Sequence, residues 1–129
     1  MIAAVETVDG VVLVDAEEDV VIGPGSELPA STAPVVELPR VVATAAAGST
    51  VVALLDRRPP LVISNDGGTT WRESGGGLPV GFAVAVSEDD PDRMLYAARN
   101  RLYVSTNGGT FWRSLAVQLP DVVALGWID

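Results

Sequence analysis

The side chains of this sequence that could do chemistry are carboxylates and arginines, because the chain has 17 Asp plus Glu and 8 Lys plus Arg, but no His and no Cys. Zinc sites, disulfides and imidazole general-base catalysis are therefore excluded. The most suggestive carboxylate is Asp66, which precedes two glycines in the stretch from Ser64 to Trp71. A calcium loop needs further oxygen ligands at alternate positions, and this stretch has only one carboxylate. We therefore expect Asp66 to bond backbone amides in a turn, as Asp and Asn commonly do.

A second group of carboxylates is dense enough to be considered as a divalent-cation site or as part of a glycoside-hydrolysing pair. It comprises Glu88, Asp89, Asp90 and Asp92. The same pattern is typical of a solvated acidic turn between two strands, which we prefer. A pair for glycoside hydrolysis requires a separation across one pocket that spacing in the chain does not define. No Gly-rich phosphate loop opens a helix. We predict no catalytic residue, no metal and no cofactor.

The charge balance limits the partners of the chain. A formal net charge of -9 repels phosphate backbones, so we expect no nucleic acid and no anionic membrane as partner. The acidity either attracts cationic partners or only keeps the protein soluble. No apolar run reaches the roughly 18 residues of a membrane span. The N-terminus has no basic region and contains Glu6, so it does not resemble a secretory signal and we predict a cytoplasmic protein.

Two sequence patterns recur with a fixed period. Residues 64–71 (Ser-Asn-Asp-Gly-Gly-Thr-Thr-Trp) return 41 residues later at 105–112 (Ser-Thr-Asn-Gly-Gly-Thr-Phe-Trp). Leu-Pro recurs at 38–39, 78–79 and 119–120, at separations of 40 and 41 residues. A period between about 20 and 50 residues indicates a repeat architecture in which each repeat is one supersecondary unit.

Short apolar runs separated by Gly, Pro, Asp and Asn predict four strands in each complete repeat. In the second repeat the predicted strands are Val41 to Ala45, Thr50 to Leu55, Pro60 to Ser64 and Thr69 to Glu73. In the third they are Phe82 to Val86, Met94 to Arg99, Leu102 to Ser105 and Thr110 to Leu115. Four short strands in about 40 residues match one blade of a β-propeller.

The first repeat is degenerate and the chain ends on an extra strand. Aligning 12–15 with 61–64 and 102–105 places Ala-Glu-Glu-Asp, residues 16–19, where the other repeats have a Gly-Gly turn. We therefore predict a blade at 1–39 that lacks its inner strand, blades at 40–80 and 81–120, and a closing inner strand at 121–129. The residues of that strand are Val122, Val123, Ala124, Leu125 and Trp127. We expect it to complete the first blade in a neighbouring copy.

The repeated motif resembles the Asp-box, or BNR repeat, whose pattern is Ser-x-Asp-x-Gly-x-Thr-Trp. All its positions are matched in the first copy, by Ser64, Asp66, Gly68, Thr70 and Trp71. The second copy matches through Ser105, Gly109 and Trp112, with Asn107 and Phe111 as replacements. Residues 41–127 are similar to blades of sialidase-like and photosystem II assembly factor-like propellers. The resemblance implies a structural motif away from any catalytic face, in which the acidic or amide residue fixes a turn and the tryptophan fills the gap between adjacent sheets.

The resemblance to sialidases also implies which residues a catalytic relative would use: three arginines, a tyrosine nucleophile and a Glu partner. This sequence has no Arg-Ile-Pro motif near its start, and Tyr96 and Tyr103 lie inside predicted strands. Most of its arginines flank turns, where they are typical of solvated strand ends.

The number of blades raises the question of how the ring closes, because propellers usually have about 4 to 8 blades. Either the chain is part of a longer protein, or copies assemble, with a homodimer giving six blades. We favour the homodimer and predict a non-enzymatic scaffold or protein-binding module that assembles as a homo-oligomeric ring. The alternative is a carbohydrate-binding or glycosidase-related propeller, with a glycan as ligand.

Overall fold

A computed structural model describes residues 1–29 and 33–128. Across these residues the chain forms twelve β-strands. The described residues contain no helix that is long and apolar enough to cross a bilayer. The strands are β1 (Ile2–Thr7), β2 (Gly10–Asp15), β3 (Val20–Pro24), β4 (Val41–Ala47), β5 (Thr50–Leu55), β6 (Leu61–Ser64), β7 (Arg72–Ser74), β8 (Ala83–Val86), β9 (Met94–Ala97), β10 (Leu102–Ser105), β11 (Arg113–Ser114) and β12 (Val122–Trp127).

The strands form three antiparallel sheets of four strands each, which we number as blades. Blade 1 has the order β12-β1-β2-β3, blade 2 the order β4-β5-β6-β7, and blade 3 the order β8-β9-β10-β11. The inner strand β8 packs against both β4 and β12, which are the inner strands of the other two blades. The outer strands are β3, β7 and β11. The predicted all-β fold with four-stranded antiparallel blades is therefore confirmed.

Strand β5 shows why the apolar runs of this sequence are continuous instead of alternating. All six of its side chains, from Thr50 to Leu55, are buried. Val52 and Leu54 pack in the core between blades 2 and 3, whereas Ala53 and Leu55 pack on the opposite face of blade 2. A strand that is covered on both faces favours apolar residues at every position.

The outer strands are shorter than the sequence predicts. Strand β7 begins at Arg72 instead of Thr69, and β11 begins at Arg113 instead of Thr110. The residues before each strand stay in the turn, because side-chain oxygens of Asp66 and Asn107 accept hydrogen bonds from their amides. These amides are thus not available to a strand ladder.

The C-terminal strand completes blade 1, but it does so in its own chain. Strand β12 pairs antiparallel with β1, with Ala3 opposite Trp127 and Val5 opposite Leu125. The sequence predicted that this strand would complete the first blade of a neighbouring copy. The structure corrects this prediction, because β12 pairs with β1 of the same chain. The amide of Val122 also donates to the carbonyl of Arg99 at 2.7 Å, which holds the start of β12 on blade 3.

The three blades form an open arc in the order 2, 3, 1. One apolar core lies between blades 3 and 1, and it includes Val5, Leu95 and Val122. A second core lies between blades 2 and 3, and it includes Leu54 and Tyr96. In the described part of the chain the inner strands β4 and β12 make no contact with each other. Blades 2 and 1 are therefore the two ends of the arc.

The connection from β3 to β4 joins the two ends of the arc. Its described parts, residues 25–29 and 33–40, contain no strand. Pro29 lies against Gly126 of β12, and the carbonyl of Pro34 accepts a hydrogen bond from Thr44 Oγ1 at 2.8 Å. Val36 and Leu38 then pack on the face of blade 2 that is turned away from blade 3. The connection thus passes beside the inner strands and covers part of a face that has no neighbouring blade.

Candidate binding channel and motif turns

The first motif forms a turn, residues 64–71, in which one carboxylate satisfies several donors. Asp66 Oδ1 accepts from the amides of Thr69 and Thr70 at 3.0 and 2.9 Å, and Oδ2 accepts from the Thr70 hydroxyl at 2.6 Å. Ser64 Oγ donates to Asp66 Oδ1 at 2.7 Å and accepts from the Gly68 amide at 2.8 Å. The carboxylate is therefore used within the turn itself.

These hydrogen bonds change the acidity of Asp66. Donation from the Thr70 hydroxyl, and then from the Thr70 amide and the Ser64 hydroxyl, holds the pKa of this carboxyl well below its usual range. Donors that bond the charged form of an acid stabilise that form. Asp66 is thus an acceptor at neutral pH and is not suited to donate a proton as a general acid.

We expect Asp66→Asn to make the stability of the chain less dependent on acid. Because the folded-state pKa of Asp66 is lowered, its contribution is present above the pKa of the unfolded state and is lost as the pH falls through the folded value. The difference between the urea midpoints of wild type and variant should be largest near pH 6 and shrink below about pH 4. A difference that stays constant from about pH 6 to pH 2 would contradict this assignment.

The second motif forms a similar turn, residues 105–112, with an amide in place of the carboxylate. Ser105 Oγ accepts from the Gly109 amide at 2.9 Å and lies 3.0 Å from Asn107 Oδ1. Asn107 Oδ1 in turn accepts from the Phe111 amide at 3.0 Å. In both turns the paired glycines have positive φ, between 72° and 97°. This left-handed backbone explains why glycine stands at these positions.

The 105–112 turn docks on the outer strand of the neighbouring blade. Trp112 Nε1 donates to Ser74 Oγ at 3.1 Å, and the Ser74 hydroxyl donates to the carbonyl of Gly109. Arg72 donates to the carbonyl of Gly108 at 2.6 Å. Trp112 also packs edge-on against Tyr96, with ring centroids 6.1 Å apart. This tryptophan therefore fills the gap between blades 3 and 2.

Trp71, its counterpart in the 64–71 turn, lies in a different environment. It packs with Ala53, Leu55 and Val62 on the face of blade 2 that is turned away from blade 3. Among the described residues, that face is covered by part of the connection and not by another blade. A cleft of about 240 Å³ separates the turn from residues 34–38 of the connection. Two copies of one motif thus have the same local geometry and different neighbours.

Sequence reasoning missed the role of the arginine that follows each motif tryptophan. Arg72 bonds the Gly108 carbonyl, and Arg113 donates to the carbonyl of Ala16 in blade 1 at 2.8 Å. Both arginines therefore join one blade to the next instead of ending a solvated strand. The recurrence of Trp-Arg at 71–72 and 112–113 is the sequence signal that could have predicted this contact.

A cavity of about 600 Å³ lies between the inner strands β4, β8 and β12. One apolar side chain beside the first residue of each inner strand lines the cavity and is about half exposed. These are Val42 of β4, Phe82 before β8 and Val123 of β12. In the described part of the chain, the only ionisable residues that line it are Glu88 and Asp89. Both belong to the turn after β8, on one side of the cavity. They are thus poorly placed to act on a glycosidic bond from opposite sides.

The acidic turn that contains Glu88 and Asp89 is held by its own hydrogen bonds. The Asp90 amide donates to Ser87 Oγ at 3.3 Å, and the Asp92 amide donates to Asp90 Oδ1 at 3.2 Å. Among the described residues, no group of three acidic side chains is arranged to hold a metal ion.

Tyr96, the more deeply placed of the two tyrosines, belongs to the core. Its side chain is fully buried, its hydroxyl donates to the carbonyl of Pro79, and its ring packs against Tyr103. Burial is the main cause that raises the pKa of Tyr96 to about 12, and the nearby Tyr103 is a smaller cause. A buried neutral phenol that is already hydrogen-bonded is not placed to attack a substrate.

The closing strand contributes Trp127 to the far end of the cavity. The guanidinium of Arg93 lies 5.9 Å from the centroid of its ring, within the range of a cation–π contact. Its Nε1 is buried and has no hydrogen-bond partner among the described residues. The remaining cavity-lining residues of the strand, Ala124, Leu125 and Gly126, add an apolar wall.

Comparison with known proteins supports the architecture. The chain is similar to the crystal structure of the GH74 enzyme from Niastella koreensis, NkGH74, with a TM-score of 0.53, 26% identity and coverage of 94% of this chain and 18% of the enzyme. It is also similar to YCF48 bound to a D1 peptide, with a TM-score of 0.54, 14% identity and coverage of 92% of this chain and 38% of YCF48. No protein-family model and no curated protein matches the sequence.

Both structural neighbours are β-propellers, and this chain has the β-propeller fold. It spans less than two fifths of the length of either neighbour.

Proposed function

We propose that this chain is a non-enzymatic propeller module that binds protein segments and closes into a homo-oligomeric ring. The segments bind at the mouth of the channel, which is the end of the cavity between β4, β8 and β12 at which these three strands begin. The observation that carries the proposal is the composition of the channel wall. Half-exposed apolar side chains, Val42, Phe82 and Val123, stand at its mouth, and among the described lining residues no acid and base face each other across it. Exposed apolar groups next to a concave surface mark interaction and ligand-binding sites.

Two arginines beside the mouth favour a segment that has carboxylates as well as apolar side chains. Each inner strand begins beside the connection that follows its neighbour, as shown by Val41 opposite Leu55 and Ala83 opposite Ala97. Those connections contain Asp9 in blade 1, Asp56, Arg57 and Arg58 in blade 2, and Arg99 and Arg101 in blade 3. Arg57 and Arg99 pair with Glu73 and Asp121, whereas Arg58 and Arg101 have no ion pair among the described residues and can bind carboxylates of a ligand.

One of the two structural neighbours supports a binding role without defining the ligand. YCF48 is bound to a D1 peptide in its structure, so a propeller of this kind can hold a peptide. We infer that the two motif turns are Asp-boxes with a structural role: they fix the turns and place a tryptophan beside the adjacent sheet.

Ring closure by two copies accounts for the open ends of the arc. Blades 2 and 1 each have one face without a neighbouring blade, and two arcs of three blades give six, within the usual range of about 4 to 8. A head-to-tail contact of this kind closes when the rotation between copies completes the circle. The exchange of β12 between copies is not needed, because that strand already completes blade 1 in its own chain.

A carbohydrate-binding or glycosidase-related role is the alternative. It is favoured by the 26% identity to the NkGH74 enzyme over 94% of this chain. The two proposals differ in the ligand that the channel mouth holds, so one set of variants can distinguish them.

The test measures binding of labelled peptides, chosen for mixed acidic and apolar composition, and of a glycan array to the wild-type chain and to Phe82→Asp. We expect peptide binding that weakens at least about tenfold in the variant, because a carboxylate at the mouth removes an apolar contact and repels acidic ligands. Phe111→Asp is the matched control, since Phe111 is 70% exposed on the 105–112 turn, away from the mouth. Glycan binding or hydrolysis that Phe82→Asp abolishes, with no peptide bound, would favour the alternative.

A further inference from the structure

The two junctions inside the arc follow one rule. At each junction, a turn of one blade docks on the outer strand of the adjacent blade that precedes it in the arc order 2, 3, 1. The turn is the one that leads into the outer strand of its own blade. In the first, the 105–112 turn of blade 3 meets Arg72 and Ser74 of β7. In the second, the corresponding turn of blade 1, residues 15–19, meets the outer strand of blade 3 through Arg113, and Asp19 accepts from the amides of Ala116 and Val117 at 2.7 to 3.2 Å.

Each junction thus has two halves, a turn and an outer strand, and this rule leaves one half unused at each end of the arc. Within residues 1–29 and 33–128, blade 2 has no blade before it, so its 64–71 turn docks on no outer strand. Blade 1 likewise has no blade after it there, so β3 receives no turn. The two unused halves are therefore of complementary kinds, a turn and an outer strand.

The glycines of the two motif turns show the difference directly. Gly108 and Gly109 are buried, and a Cβ on Gly109 would collide with Ile63 of blade 2. Gly67 is exposed and Gly68 half-buried, and a Cβ on Gly67 would meet nothing within 4 Å. The 64–71 turn thus keeps the compact shape that a close neighbour requires, without having that neighbour within the chain.

The outer strand of blade 1 differs from the other two in composition and length. Strand β3 has five residues, of which Val20, Val21 and Ile22 are 49%, 47% and 53% exposed. Strands β7 and β11 have three and two residues, and each begins with an arginine. Long apolar edge strands are rare on free surfaces, because they attract other chains, and short charged edges are the usual protection.

We propose that the 64–71 turn of one copy docks on β3 of a second copy, so that two such contacts close a six-bladed ring. This inference rests on the ring closure proposed above and names its interface. It continues the junctions that already hold the arc together, with the second copy in the place of the missing blade.

The chemistry of the two halves fits an apolar version of the internal junctions. Val21 pairs with Val14 as Arg72 pairs with Ile63, so a valine stands where the other outer strands have the arginine that bonds the turn. The apolar partner opposite β3 is Trp71, which is only partly buried in the single chain. The one carboxylate of the turn, Asp66, is already bonded within it, and Asp19 beside β3 is bonded to blade 3. Neither of these two carboxylates is therefore left unpaired by the contact.

The absence of cysteine from the chain allows a site-specific test of this interface. Val21→Cys and Thr69→Cys are made as separate single variants, so that any mixed cross-link from a short bismaleimide joins two copies. In an equal mixture we expect cross-linking at least about fivefold faster than in the matched mixture of Val21→Cys and Thr110→Cys, because docking raises the effective concentration of the pair. Thr110 is exposed at the same position of the 105–112 turn, which is already docked within its own chain.

Light scattering on the wild-type chain and on Val21→Asp completes the experiment. We expect a mass of twice the 13.4 kDa chain for wild type and at least about tenfold weaker association for the variant, with Val8→Asp as an exposed control that associates normally. A dimer without the preferred 21 to 69 cross-link would overturn this interface while leaving ring closure intact. A monomer at every concentration would overturn both. Circular dichroism of each variant verifies that the sheets are retained.

Discussion

Gly109→Ala should lower the free energy of unfolding by about 2 to 5 kcal/mol, because a left-handed alanine costs about 1 to 2 kcal/mol and overpacking of a core about 1 to 3. Gly109 has a φ of 84°, and a Cβ there would collide with Ile63 Cδ1 and approach Ser74 Oγ to 3.1 Å. The collision lies within the core between blades 2 and 3, where neither neighbour can withdraw without loss of packing. Urea unfolding followed by circular dichroism measures the effect.

Gly68→Ala is the matched control for this prediction. Gly68 has a φ of 97° and accordingly the same backbone strain, but a Cβ there would meet only Trp71, at 3.6 Å. We expect a loss of about 1 to 2 kcal/mol, from the strain alone. Both curves are taken at a concentration at which the chain is monomeric, since the 64–71 turn belongs to the proposed interface between copies. Equal losses in the two variants would contradict the tight packing of blade 3 on blade 2.

Val122→Asp should destabilise the chain by about 3 to 5 kcal/mol, which is the effect of an uncompensated buried charge. Val122 is 6% exposed and belongs to the core between blades 3 and 1, and it is the first residue of the strand that completes blade 1. Because native domains are stable by only about 5 to 15 kcal/mol, a loss of this size removes a large part of the total. Thermal and urea unfolding both report it.

Val123→Asp, one residue further along the same strand, provides the contrast. Val123 is 51% exposed at the mouth of the channel, so we expect a change of no more than about 1 kcal/mol. If Val122→Asp were tolerated as well as Val123→Asp, the burial of Val122 in the core between blades 3 and 1 would be wrong. The pair thus tests which side chains of β12 are packed in the core and which face the channel.

Much of the fold followed from local pattern. The period of 41 residues predicts three blades, and the ends of β5 and β10 agree with the apolar runs at 50–55 and 102–105. The turn chemistry was also predictable, because Asp66 and Asn107 act through amides only a few residues away. Where the prediction was inexact, at the starts of β7 and β11, the same side chains kept residues in the turn.

The candidate site was much harder to predict, because it depends on contacts between residues distant in the chain. Val42, Phe82 and Val123 form the channel mouth only when three inner strands meet. The bonds from Arg72 to Gly108 and from Arg113 to Ala16 span 36 and 97 residues. The recurrence of Trp-Arg at 71–72 and 112–113 marks these two arginines, but charge and local spacing do not identify the carbonyls that they bond.

The sequence by itself determined the unit of this protein: a four-stranded blade with a hydrogen-bonded turn, repeated at a fixed interval, and an inner strand at the C-terminal end. Such features arise from interactions within a few residues and from the alternation of apolar runs and turns. Only the tertiary structure decided that β12 pairs with β1 of its own chain, that blade 3 lies in the middle of the arc, and that, among the described residues, no other blade packs on the 64–71 turn or on β3. Packing between blades joins segments far apart in sequence, and equal strand patterns are compatible with more than one such pairing.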